Sequence, residues 1–178
     1  MIMDELLDIV NDEDSVVDQQ KRSTVHKLGL QHRSIHVFLF IEDRKLLVQK
    51  RSADRASSPS MLDCSVSEHV KAGESYLDAA IRGMKEEMGV PGIELKALVT
   101  FRMNYGPNDN EISTLYEGMI QIDHVKFDPV EIEEVGYYDL ENIEKMMHAE
   151  SDKFCAWFIE ILNWYLKKPA KLTVMKVY

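Results

Sequence analysis

At 178 residues, 45% hydrophobic and 29% charged, the chain has the composition of one soluble domain with a sizeable core. A formal net charge of −10 argues against nucleic acid as a partner, so phosphate must be handled through metal ions or a local basic cluster. No apolar run is long enough to span a bilayer, the acidic start MIMDELLDIVNDEDS lacks the basic opening of a signal peptide, and two cysteines make no disulfide framework; a cytoplasmic protein is expected.

In chain order, Leu6 to Val10 and Val16 to Gln20 read as two short strands around the acidic turn at Asn11–Asp14, an N-terminal hairpin over residues 5–20. A linker with Lys21, Arg22 and His26 follows. Ser34 to Ile41 reads as a largely buried strand and Leu46 to Lys50 as its hairpin partner. Ser52 to Ser60 is a polar loop, and a helix lies between Glu74 and Gly89. Ile93 to Met103 and Ile112 to Ile122 are two strands flanking the turn-rich NYGPNDNE, and Glu134 to Tyr138 is a last short strand. A helix is expected from about Glu141 to His148 and the longest one over residues 152–166, with Phe154, Trp157, Phe158, Ile161, Leu162 and Tyr165 on one side. The basic tail from Lys167 is either loose or an edge strand. Strands and helices mix along one domain spanning 1–178, so the class is α/β or α+β with one mixed sheet.

The stretch SEHVKAGESYLDAAIRGMKEEMGV, Ser67 to Val90, is the most informative. Gly73 permits a tight turn, Glu74 and Ser75 suit a helix start, and Gly89 suits its left-handed end. Leu77, Ala80, Ile81, Met84 and Met88 make an apolar face, and Glu74, Asp78, Arg82, Glu86 and Glu87 a polar one. A solvated acidic face would explain these charges equally well. Their order decides otherwise: the stretch resembles the Nudix box, G-x5-E-x7-R-E-U-x-E-E-x-G-U, with Glu74, Arg82, Met84, Glu86, Glu87, Gly89 and Val90 filling seven of its nine positions. Two positions depart. Glu68 stands where the first glycine belongs, and Gly83 where the glutamate after the arginine belongs, leaving a gap in the carboxylate cluster. A mid-helix glycine costs about 1 kcal/mol relative to alanine.

The resemblance implies the Nudix fold, a curved mixed sheet sandwiched between helices, with Mg2+ or Mn2+ held by Glu86 and Glu87 against a diphosphate; Gly73, Glu74, Arg82 and Gly89 would shape the motif. From Leu6 to Leu166 the chain is similar to one branch in particular, type I isopentenyl-diphosphate isomerase and the hydrolases near it. In that branch His32 and His69 fall on histidine ligands of a divalent metal, His26 near a third, and Asp109 and Glu111 on the acidic pair. Imidazole with carboxylate suits Mn, Zn or Fe more than Mg. A second metal, carried by the diphosphate, would use Glu87. Lys21, Arg51 and Arg55 match diphosphate-holding positions, and Trp157 falls near a cation-stabilising aromatic, although its place in an apolar stripe favours core packing. His36 reads as structural, His124 and His148 as surface residues, and Cys64 as core.

The isomerase moves protons at carbon with a cysteine and a glutamate. Glu111 keeps the glutamate, but Ser67 occupies the cysteine position and Met103 that of a tyrosine. A hydroxyl is a far weaker acid than a thiol of pKa about 8.5. The expected function is therefore a metal-dependent Nudix hydrolase cleaving a small-molecule diphosphate of nucleoside type, with Glu111 or Glu74 handling the water. A divergent isomerase and a diphosphate-binding domain without turnover are the alternatives. The expected partner is the small-molecule diphosphate, with neither nucleic acid nor membrane, and a homodimer stays open.

Overall fold

The computed structural model describes residues 4–90, 92–106 and 108–178. The first three residues of the acidic start, and Pro107 of the turn-rich loop, lie outside them. Among the described residues ten strands and four α-helices follow in the order β1 Leu6–Val10, β2 Val16–Lys21, α1 Arg22–Leu28, β3 His32–Phe40, β4 Leu46–Arg51, β5 Leu62–Asp63, β6 Val66–His69, α2 Tyr76–Met88, β7 Leu95–Asn104, β8 Asn110–Met119, β9 Ile132–Tyr138, α3 Leu140–Ala149, α4 Ala156–Tyr165 and β10 Thr173–Val177.

Strand β3 organises the sheet. It runs parallel to β8 along its whole length, and it pairs antiparallel with β6 through Ser34–Val37. The main order is β10-β7-β8-β3-β1-β2, with β4 joined to β3, β5 and β9. Because side chains alternate across a strand, β3 is buried on both faces. Phe38 and Phe40 pack with Phe101, Leu115, Met147, Phe158, Ile161 and Leu162, under α3 and α4. Ile35, Val37 and Leu39 pack with Ala80, Met84, Met88 and Val90, under α2. His32, Ser34 and His36 share the parity of Phe38 and so belong to the α4 side of the sheet.

Several expectations need correction. The linker after β2 is helix α1, whose end is capped by Gly29 in the left-handed conformation and whose Val25 is buried on Leu7 and Ile9. Strand β4 touches β3 only at Phe40–Leu46; six of its residues pair with β9 instead. The polar loop is followed by two strands too short for a periodic signal, β5 and β6. The last helix starts at Ala156, since Phe154 and Cys155 are drawn into the core before it. The tail forms β10 on the edge of β7. Helix α2 buries Ala79, Ala80, Gly83, Met84, Glu87 and Met88, while Leu77 and Ile81 are 44% and 42% exposed.

Helix α2 begins at Ser75, whose hydroxyl accepts from the Asp78 amide, and ends at Gly89 with φ +64. A side chain at position 89 would meet the Lys126 carbonyl oxygen at 2.6 Å, whereas Gly73, at φ +78, faces open space. Gly89→Ala is expected to cost about 3 kcal/mol in urea unfolding, left-handed strain and overpacking together, and Gly73→Ala only about 1 kcal/mol. Equal costs at the two positions would show that the Lys126 contact relaxes freely.

Candidate active site

The parallel register of β3 and β8 sets His32 beside Glu111 and Ser34 beside Ser113. On the other side of β3, β6 sets His69 beside Ser34 and Ser67 beside His36. Helix α1 adds His26, and the turn before β8 adds Asp109. The rings of His26, His32 and His69 stand 5.1 Å apart, centroid to centroid, in all three pairs. Glu111 Oε1 lies 3.4 Å from His32 Nε2 and 3.7 Å from His69 Nε2, and Asp109 Oδ1 lies 3.5 Å from His26 Nδ1. The structure thus brings all five residues of the expected imidazole–carboxylate set together.

The charges in this cluster are strongly mutual. Burial disfavours an imidazolium at His32, but the Glu111 carboxylate outweighs it and raises His32 above its ordinary value. Burial likewise opposes the Glu111 carboxylate, yet the close approach and charge of His32, and then of His69, hold it far below the usual range. Burial lowers His26 and lowers His69 well below its ordinary value, which leaves both as neutral imidazoles with a lone pair to offer. Burial and then the Glu111 charge push Asp109 up to about 7. His32 Nδ1 faces the Leu30 carbonyl at 2.9 Å, which assigns its proton there in the neutral ring and turns Nε2 toward the cluster. Ser34 Oγ donates to Glu111 Oε2 at 2.5 Å and steadies it from behind.

Helix α2 meets this cluster through Arg82. Its guanidinium donates to both oxygens of Glu74 at 2.8 and 3.0 Å, to Glu68 Oε2 at 3.0 Å, to Glu86 Oε2 at 3.1 Å and to the His69 carbonyl at 2.8 Å. Glu74, which also accepts from the Lys71 amide, is therefore a clamp. Gly73 donates its N–H to Asp8 Oδ2 at 3.0 Å and closes the turn. The expected pairing of Glu86 with Glu87 is not what the fold gives. Glu86 is 55% exposed on the outer side of α2, whereas Glu87, one step round the helix, is buried. Glu87 meets Glu68 from β6 and Glu131 from the turn before β9, with one oxygen of each within 4.8 Å of the others.

Three buried polar atoms among the described residues lack a hydrogen-bond partner: His32 Nε2, Glu87 Oε1 and Asp109 Oδ1. Buried polar atoms are ordinarily satisfied, and imidazole nitrogens with carboxylate oxygens are the donor set of a divalent ion. The residues fit Mn2+ or a similar ion at the histidine cluster and Mg2+ or Mn2+ at the oxygen-only trio.

A cavity of about 580 Å³ opens beside the histidine cluster and reaches Glu68 of the trio. His26, His69, Asp109, Glu111, Glu68, Arg22, Arg51, Arg55, Ser67, His36 and Trp157 are among its lining residues. Arg51 and Arg55 are where the sequence led one to expect. Lys21 is not: it is exposed at the end of β2, and the chain turns into α1 so that Arg22 and His26, four residues apart, share the cavity face. Trp157 is a wall of the cavity rather than core alone. Its Nε1 donates to Asp63 Oδ1 at 2.6 Å, and Arg51 lies 5.5 Å from its ring centroid while donating to Asp63 Oδ2 at 2.9 Å. Ser67 Oγ donates to Asp63 at 3.1 Å and stands 3.0 Å from His36 Nδ1. His36 is a cavity residue too, and its Nε2 lies 3.3 Å from the Tyr105 hydroxyl. Met103 is buried in the core, as are Cys64 and Cys155. Glu131 and Asp63 carried no signal of their own in the sequence, Glu68 showed only as a departure from the box, and Arg22 only as a linker cation.

The NUDIX domain family model matches residues 30–158. The chain belongs to the Nudix family. Among curated Nudix relatives, isopentenyl-diphosphate Delta-isomerase of Serratia proteamaculans is 30% identical over 165 residues, covering 90% of this chain and 91% of that one. An uncharacterized Nudix hydrolase of Streptomyces coelicolor is 36% identical over 115 residues, 64% of each chain. Among solved Nudix-like structures, DR0079 from Deinococcus radiodurans superposes with a TM-score of 0.71 at 26% identity, over 82% of this chain and 90% of that one. The MutT protein from Methanosarcina mazei shares the fold, with a TM-score of 0.62 at 20% identity over 78% and 96%.

In this Nudix chain the Arg82 fork holds strand and helix together from a side chain only 16% exposed. Arg82→Ala, which strands several carboxylates, is expected to lower stability by about 2–3 kcal/mol in urea unfolding; a loss under about 0.5 kcal/mol would mean the fork is dispensable. Glu111→Gln is expected to weaken Mn2+ binding by the metal-stripped chain at least about tenfold, read by isothermal titration.

Proposed function

We propose that this Nudix protein is a divalent-metal-dependent hydrolase that cleaves a diphosphate linkage in a small molecule of nucleoside-diphosphate type. The observation that carries this reading is one cavity lined by His26, His69, Asp109 and Glu111 of the imidazole–carboxylate cluster, by Glu68 of the carboxylate trio, and by Arg22, Arg51 and Arg55. Both clusters hold buried atoms without partners.

His26, His32, His69, Asp109 and Glu111 would hold one cation, and Glu87 with its neighbours a second. A bound cation neutralises charge on the phosphates and lowers the pKa of water. The protein's own groups do the rest. Arg51, anchored on Asp63 and the Ser57 carbonyl, and Arg55, paired with Glu131, bring positive charge to the phosphate oxygens. Water forms a bond to one phosphorus, the bridging P–O bond breaks with its electron pair going to the leaving phosphate, and the Asp109–Glu111 pair takes the water's proton. Glu74 is unsuited to that task, because Arg82 and the Lys71 amide occupy both its oxygens.

A second reading, a divergent isopentenyl-diphosphate isomerase, is favoured by the assembled histidine cluster and by Trp157 standing over the arginine wall. Against it, both cysteines are buried and neither lines the cavity, and Ser67 is tied to Asp63 and His36. A hydroxyl so held is a poor proton donor to carbon.

The test is a panel of nucleoside diphosphates and their conjugates with Mg2+ or Mn2+, followed by phosphate release. Metal-dependent release from at least one member is expected, and Glu87→Gln should cut it at least about 100-fold, as several kcal/mol of charge stabilisation is lost. Silence across the panel, together with deuterium uptake from heavy water into isopentenyl diphosphate, would replace the hydrolase by the isomerase. A ligand-dependent rise in melting temperature with neither product would leave a binding domain.

A further inference from the structure

The two departures from the Nudix pattern are a glutamate in place of a glycine, Glu68, and a glycine in place of a glutamate, Gly83. In the fold they are neighbours. A Cβ placed on Gly83 would lie 3.1 Å from Cγ of Glu68 and 2.8 Å from Cγ1 of Val66. The room beside helix α2 that a side chain at position 83 would need is already taken by Val66 and Glu68, reaching across from β6. The two departures are therefore in direct contact.

The Glu68 carboxylate goes where it can bind. One of its oxygens lies within 4.8 Å of an oxygen of Glu87 and of Glu131. Gly83 and Glu87 are one helical turn apart on the buried side of α2, so Glu68 comes in over the turn that Gly83 leaves bare. Each member of the trio is steadied from outside: Glu68 by Arg82 at 3.0 Å, Glu87 Oε2 by Gln49 at 2.9 Å, and Glu131 by Arg55 at 2.8 Å. Glu87 Oε1, on a side chain 3% exposed, has no partner. Three carboxyl groups drawn together, one of them with a buried oxygen that has no partner and each with an oriented neighbour, make a preformed oxygen-only site for a hard divalent cation.

We propose that Glu68 supplies from strand β6 the metal-binding carboxylate that the Nudix box carries on its helix, that Glu68, Glu87 and Glu131 form the second cation site, and that Gly83 makes room for it. The proposal rests on the metal-dependent reading above. It explains both departures with one contact, and it gives Gly83 a steric reason that outweighs the loss of helix propensity. It also assigns Glu131 a place that the pattern does not predict.

The test is Mn2+ binding to the metal-stripped full chain, with free Mn2+ read by electron paramagnetic resonance and folding checked by a thermal melt. The natural chain is expected to bind two classes of Mn2+. Glu68→Gln keeps an acceptor for Arg82 and is expected to weaken one class at least tenfold and leave the other within twofold. Glu134→Gln, which removes an equal charge from an exposed site, is expected to change neither. The exchange Glu68→Gly with Gly83→Glu returns the carboxylate to the helix and is expected to bind Mn2+ more tightly than Glu68→Gly alone. Unchanged binding by folded Glu68→Gln would make Glu68 an Arg82 partner only and overturn the proposal, whatever the exchange variant does. Two intact Mn2+ classes without phosphate release would remove the hydrolase reading and leave this site standing. Phosphate release with binding indifferent to Glu68 would do the reverse.

Discussion

The guanidinium of Arg82 directs its donors at Glu74, Glu68, Glu86 and the His69 carbonyl, and so ties the loop before α2, strand β6 and the helix itself into one unit. Two features follow from that tie. Strand β6 is held at the depth where His69 reaches Glu111, and the helix is held at the rotation that buries Glu87. Lysine could not replace it, because one ammonium cannot present several donors in fixed directions. The cation chemistry proposed for the two clusters requires this fork to be in place first.

The other constraint is backbone register. A parallel pairing of β3 with β8 puts His32 beside Glu111, and every second residue from there, Ser34, Ser113 and His36, falls on the same side of the sheet. A slip of one residue would send this row under α2 and the apolar row of Ile35, Val37 and Leu39 into the cavity. The core therefore enforces the site: the aliphatic side chains fix the register, and the polar ones inherit their positions.

Much of this was legible in the residues. Helix α2 announced itself by Ser75, Gly89 and an ordered set of charges, and the longer strands by their apolar runs, because those signals are local. What was not legible depends on how distant segments meet. RSTVHKL starts without a side-chain cap and is too short for a periodic pattern, so α1 read as a linker and Lys21 stood in for Arg22. Strands β5 and β6 are two and four residues long. Trp157 sits in an apolar stripe, and only the position of Asp63 turns its N–H toward the cavity. Glu86 and Glu87 are adjacent and look equivalent, yet 100° of helical rotation puts one in water and one in the interior. Glu131 lies in an acidic run with nothing to mark it. Glu68 and Gly83 looked like two unrelated blemishes until the fold put them in contact.

The crowding of Glu68, Glu87 and Glu131 has a bearing on how long the chain survives as well as on what it does. Like charges confined in a poorly hydrated space repel one another, and that repulsion weighs on the folded form but not on the unfolded one. An ion that settles among them relieves the strain, and the relief grows with the logarithm of its concentration. Under the proposed cation site, cation supply sets the chain's resistance to unfolding, with scarcity leaving a looser chain open to proteolysis.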